Sequence, residues 1–153
     1  MEPIKTIAGK ILLYFYSVQR TEYAKLHDFS VSFQMRHFSN PDERSPKMER
    51  SSTNELLENL LKISNRDNDI YNALLYLNGS GFIEMKESKD NVGIHLYNFQ
   101  LSNHGIDIIE GIERGNDEKQ IFNVTFNIKV ADNVNVDSLV KAEVGSLLKA
   151  SFL

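Results

Sequence analysis

Four histidines, two closely spaced aspartates and a glycine-flanked serine are the residues whose types and spacing could do chemistry in this chain. His27 and His37 flank an alternating segment, His95 lies in a second one, and His104 precedes Gly105. Neither HxxxH nor HExxH occurs, and no carboxylates gather near them as they do in zinc sites. Surface or packing histidines are the simpler reading, and His104 with Asp107, one helical turn apart, suits a local hydrogen bond. Asp67 and Asp69 could act as an acid–base pair. Their spacing sends them to different faces of a helix, however, so capping a helix start is the better use. Asn78-Gly79-Ser80-Gly81 lacks the lysine and the βαβ setting of a phosphate cradle and reads as a helix stop. With no GxSxG, GxxxxGK[ST] or GxGxxG motif and no cysteine, the chain offers no thiol or elbow nucleophile, thiolate metal site or disulfide. The expectation is a non-enzymatic protein with no cofactor and no metal.

The composition sets the scale on which such residues must be positioned. A length of 153 residues suits one packed domain, or a small domain with an appended dimerisation element. An apolar fraction of 41% and a charged fraction of 25% are those of an ordinary soluble globular protein. Seventeen Lys plus Arg against twenty-one Asp plus Glu give a net charge of −4, the wrong sign for bulk phosphate neutralisation, so any basic surface must be local. Met1 to Lys5 lacks the basic stretch and cleavage site of a signal peptide. The apolar run Ile11 to Tyr16 is far short of the roughly 20 residues that span a bilayer. A cytoplasmic protein with no membrane partner is expected.

Periodicity supplies the elements. Ile7, Ile11, Leu12, Tyr14, Phe15 and Val18 predict a first helix with one buried stripe, from Ile4 to about Tyr23. Its aromatic residues Tyr14, Phe15, Tyr16 and Tyr23 suit core packing or a subunit interface. Phe29, Val31, Phe33 and Met35 alternate with polar residues, as in a half-buried strand. Ser39 to Thr53 holds two of the three prolines and almost nothing apolar, which predicts a solvated loop. A second helix starts at Thr53 or Asn54 and carries Leu56, Leu57, Leu60 and Leu61. A third starts at an Asp67-Asn68 cap, buries Ile70, Ala73, Leu74 and Leu77, and stops at Asn78 to Gly81. Strands over 82–86 and 94–101 form a hairpin, and a short helix opens at Ser102-Asn103-His104-Gly105 and closes at Gly115. Beyond a polar hinge, Val124, Phe126, Ile128 and Val130 predict a strand. Val136, Leu139, Val140, Val144, Leu147 and Leu148 predict an amphipathic last helix.

The stretch Leu56 to Glu84, above all Ile63-Ser64 and Asn72-Ala73-Leu74-Leu75-Tyr76-Leu77-Asn78-Gly79-Ser80-Gly81-Phe82-Ile83-Glu84, resembles the second and third helices of bacterial winged-helix regulators. Their pattern runs Ala-Leu, two exposed residues, Leu, a few polar residues, Gly, an apolar pair and an acid. Leu101-Ser102-Asn103-His104-Gly105 is similar to the Leu-Thr-x-x-Gly that opens the helix after the wing. The resemblance covers about residues 1–112 and implies an α+β fold: a winged helix-turn-helix core with a two-stranded wing. The expected organisation is a 1–115 domain with an insertion-like segment at about 27–52, then a 116–153 strand and amphipathic helix serving self-association through Val136, Leu139, Val140, Val144, Leu147 and Leu148.

In that family the exposed positions of the third helix contact bases and phosphates. Here the resemblance assigns them to Asp67, Asn68, Asp69, Tyr71, Asn72, Leu75 and Tyr76. Asn68 and Asn72 could read adenine edges, Arg66 is the only cation near the helix start, and Lys86, Lys89 and His95 would form a small basic wing. The implied function is a dimeric regulator of double-stranded DNA. The alternative is a protein-interaction module that does not bind DNA, because Asp67 and Asp69 would repel phosphates while Tyr71, Leu75 and Tyr76 suit a protein contact. A weaker alternative is a ligand-responsive sensor with a pocket beneath the 27–52 segment.

Overall fold

The computed structural model describes residues 3–35, 46–50, 54–91 and 93–113. Among the described residues there are five helices and a four-stranded antiparallel sheet: α1 (Ile4–Thr21), α2 (Tyr23–His27), β1 (Ser30–Met35), β2 (Pro46–Met48), α3 (Glu55–Ile63), α4 (Asp67–Gly79), β3 (Ile83–Lys89), β4 (Gly93–Leu101) and α5 (Asn103–Glu113). The strands lie in the order β2-β1-β4-β3. The expected α+β class is observed. The predicted strand at 124–130 and the stripe from Val136 to Leu148 lie outside the described residues.

The first helix is more central than its periodicity implied. From Ile7 to Tyr16 every residue of α1 is buried rather than one stripe, because α2, α3, α4, α5 and β4 all pack against it. Even Lys10 is only 2% exposed, and it is engaged there. Phe15 meets Phe99 of β4 at 5.3 Å between ring centroids, which ties the helix to the sheet. The helix also ends two residues early. The Glu22 N–H bonds to Val18 O, the chain leaves helical geometry there, and α2 begins.

Strand β1 follows the predicted alternation, with Val31 and Phe33 buried and Ser32 and Gln34 half-exposed. It is an interior strand, paired with β4 from Ser30↔Tyr97 to Gln34↔Gly93 and with β2 at Phe33↔Met48. Residues 30–35 and 46–48 of the 27–52 segment are therefore strands of the sheet. The expectation of a continuous loop over 39–53 fails at Pro46–Met48, where Pro46 and Met48 are buried and Lys47 faces out. A proline is tolerated there because β2 is an edge strand.

The helix pair closes as the sequence predicts. Asn54 caps α3, its Oδ1 accepting the Leu57 N–H at 2.8 Å, and Leu56, Leu57, Leu60 and Ile63 turn into the core. Three residues later α4 begins, and it ends where Gly81 takes a φ of +80°. The Phe82 N–H bonds to Leu77 O and the Gly81 N–H to Asn78 O, the paired bonds of a Schellman stop. This aims the chain into β3, whose hairpin turn is closed by Asp90 and Gly93. Ser102 then caps α5, accepting the Gly105 N–H at 3.0 Å.

Candidate functional site

Helix α4 carries the residues on which the functional reading turns, and it sorts them differently from the sequence expectation. Asp67 is buried, at 8% exposure, and does not cap its own helix. Its Oδ2 accepts the Met48 N–H at 2.9 Å and its Oδ1 accepts the Arg50 guanidinium at 2.5 Å, so the carboxylate fastens β2 to α4. Asp69 is largely covered and stands 3.8 Å from Arg66 Nε. Tyr71 lies in the core, edge-on to Phe33 at 5.1 Å. Burial pushes its hydroxyl pKa up, Glu87 adds to the rise, and Lys89 opposes it. Tyr76 is half-buried beside Phe82.

The exposed residues of α4 are Asn68, Asn72, Leu75, Asn78 and Gly79, the first three spaced i, i+4, i+7 in one stripe. The expectation of an exposed face that is acidic at its start and aromatic along its side is thus corrected. The helix start packs against β2, which draws Asp67 inward, and Tyr71 is needed to cover Phe33. Of the five residues proposed for a protein-contact face, only Leu75 is exposed, and only to 37%.

The same packing assembles a cationic cleft that the sequence did not reveal. Lys47 and Arg50, from β2 and the residues after it, meet Asn65, Arg66 and Asn68 around a cavity of about 420 Å³. Arg66 was expected to be alone at the start of α4; it is one of three cations there. The available signal was Pro46-Lys47-Met48, a one-residue alternation hidden in a polar stretch.

The β3–β4 hairpin presents less positive charge than its composition suggested. Lys86 and Lys89 are both exposed, but three residues apart on a strand they point to opposite faces. Lys89 Nζ also stands 3.4 Å from Glu87 Oε1. His95 is committed on both nitrogens, with Nδ1 at 2.6 Å from Ser32 Oγ and Nε2 at 3.1 Å from Asp90 Oδ2. The order Ser–His–Asp is that of a nucleophile relay. Here the His95 and Asp90 side chains are 46% and 53% exposed, so water screens the charges a relay depends on. The arrangement pins the hairpin turn to β1, helped by the Gly93 N–H donating to Asp90 Oδ1 at 2.8 Å.

Between β1 and the start of α3 there is a polar cleft of about 70 Å³, lined by Ser30, Ser32, Glu49 and Asn54 among others, on the scale of a few water molecules. Among the described residues no group of His, Asp or Glu is placed to hold a metal, and no helix is long and apolar enough to cross a membrane. Comparison with protein-family models, curated proteins and solved structures finds no match to this chain.

Proposed function

We propose that the protein is a winged-helix module that binds double-stranded DNA, acts as a dimer and carries out no catalysis of its own. The observation that carries this reading is the convergence of Lys47, Arg50 and Arg66 at the start of α4, beside the outward amides of Asn68 and Asn72. Cations at a helix start suit backbone phosphates, and an amide can pair with an adenine edge in the major groove. The order of helix pair, hairpin and closing helix supports the winged-helix comparison, as does the pairing of β1 with the second hairpin strand.

The acids that argued against DNA are occupied within the protein, Asp67 by Met48 and Arg50 and Asp69 by its proximity to Arg66. A net charge of −4 then requires that binding be local, through a few cations, with a correspondingly modest salt slope. Dimerisation follows from half-site recognition by paired reading helices. Fluorescence anisotropy with random duplex DNA over a salt series tests the reading. Affinity should fall as salt rises, and Asn68→Ala with Asn72→Ala, which removes no charge, should leave the non-specific salt slope unchanged. No binding at low salt would refute it.

A further inference from the structure

We propose that the cleft between β2 and the α3–α4 turn is a site for a single phosphate ester group, held by Lys47, Arg50 and Arg66. Its volume, about 420 Å³, lies in the range of small-ligand sites, but its lining is polar and cationic where such sites are usually apolar. That chemistry selects a charged, hydrated group. Three cations against the single carboxylate of Asp67 leave an excess of two positive charges in the lining.

Asp67 gives the cleft its geometry. Its two oxygens have separate tasks, one holding the Met48 N–H and the other the Arg50 guanidinium. The second bond orients a side chain that is otherwise half in water, at 52% exposure. Guanidinium has five N–H donors in a planar fork, so those not facing Asp67 remain available to a tetrahedral oxyanion. Arg66 is held only loosely, 3.8 Å from Asp69, and can swing to the same group. Asn65 and Asn68 add neutral amides at the rim. The proposal rests on the DNA reading only for the source of the phosphate.

The test follows backbone amide signals of the isotopically labelled full chain as inorganic phosphate replaces chloride at constant ionic strength. A saturable shift at Lys47 to Arg50 and Asn65 to Asn68 is expected, and it should vanish in Lys47→Gln with Arg50→Gln. Both side chains are exposed enough that the fold should persist, which the same spectra report.

A second arm uses duplex DNA. If Arg50→Gln lowers the salt slope by about 1, the phosphate belongs to a nucleic-acid backbone. If inorganic phosphate binds the cleft but duplex does not, the site stands for a phosphate-bearing small molecule and the DNA reading falls. Phosphate shifts no different from chloride, together with an unchanged duplex slope in Arg50→Gln, would overturn the proposal.

Discussion

The start of α4 and the β3–β4 hairpin carry comparable numbers of cations, yet they differ in where the neighbouring carboxylates go. At α4 the carboxylate of Asp67 is drawn into the protein, where it links two elements and orients Arg50. In the hairpin Glu87 and Asp90 stay on the surface, beside the very Lys89 and His95 that would have made it basic. Both carboxylates pair with a cation, Asp67 with Arg50 and Glu87 with Lys89, so the regions differ in what else the acid does: Asp67 also ties β2 to α4, whereas Glu87 stays exposed beside Lys89. Breaking a buried pair is costly, and an exposed pair contributes little.

Substitutions and a titration would break or sharpen that contrast. The largest effect should come from Gly93→Ala, where a Cβ would stand 2.1 Å from the Phe33 carbonyl oxygen on β1. Both strands are interior to the sheet and cannot part, so urea denaturation should record a loss of about 3 kcal/mol. A loss that small substitutions elsewhere in the hairpin reproduce would mean the hairpin is not anchored on β1. Next, Asp67→Ala removes a charged acceptor from a buried N–H and should cost about 2 kcal/mol. Asp90→Ala, in the exposed hairpin turn, should cost about 1 kcal/mol or less by the same measurement. Equal losses would erase the distinction between the two regions.

Tyr71 joins the two regions and allows a titration. Its pKa in the folded protein is raised from the ordinary 10.0, chiefly by burial and then by Glu87, so the folded state holds the phenolic proton more tightly than the unfolded chain. The resulting stability is complete below pH about 10 and is lost as pH rises through the elevated value. Ultraviolet absorbance of tyrosinate, compared with Tyr71→Phe, should show this tyrosine ionising late. Glu87→Gln should move it earlier and Lys89→Ala later still. An unchanged titration in both variants would contradict the packing of the hairpin against α4. The smallest effect on stability belongs to Lys86→Ala with Lys89→Ala, within about 0.5 kcal/mol. The same pair should lower the DNA salt slope by about 2 if both lysines meet phosphate. A fall of only about 1 would show that Lys89 stays with Glu87.

Much of the scaffold was legible because it depends on near neighbours. The Asn54 cap, the α3 stripe and the Gly81 stop are each written in a few adjacent residues, and each is observed. Asp67 was read as a cap for the same reason, since an aspartate before an apolar run usually is one. Its true partners, Met48 and Arg50, lie 19 and 17 residues earlier, behind a stretch with no periodicity to announce a strand. The resemblance places Tyr71 on the exposed face, and only the arrival of Phe33 on β1 decides that it is covered. Long-range pairings of this kind leave little local trace. The cleft of Lys47, Arg50 and Arg66 depends on two of them, which is why it emerges only from the fold.

The central claim is that DNA meets the start and outer stripe of α4, with the hairpin beside it. Titrating the isotopically labelled full chain with a random-sequence duplex at low salt, and mapping the perturbed backbone amides, tests it most directly. Shifts gathered at Lys47 to Arg50 and Asn65 to Asn72, with weaker ones around Lys86, are the predicted result. An unperturbed spectrum, or shifts confined to α2 around Tyr23 and His27, would contradict it.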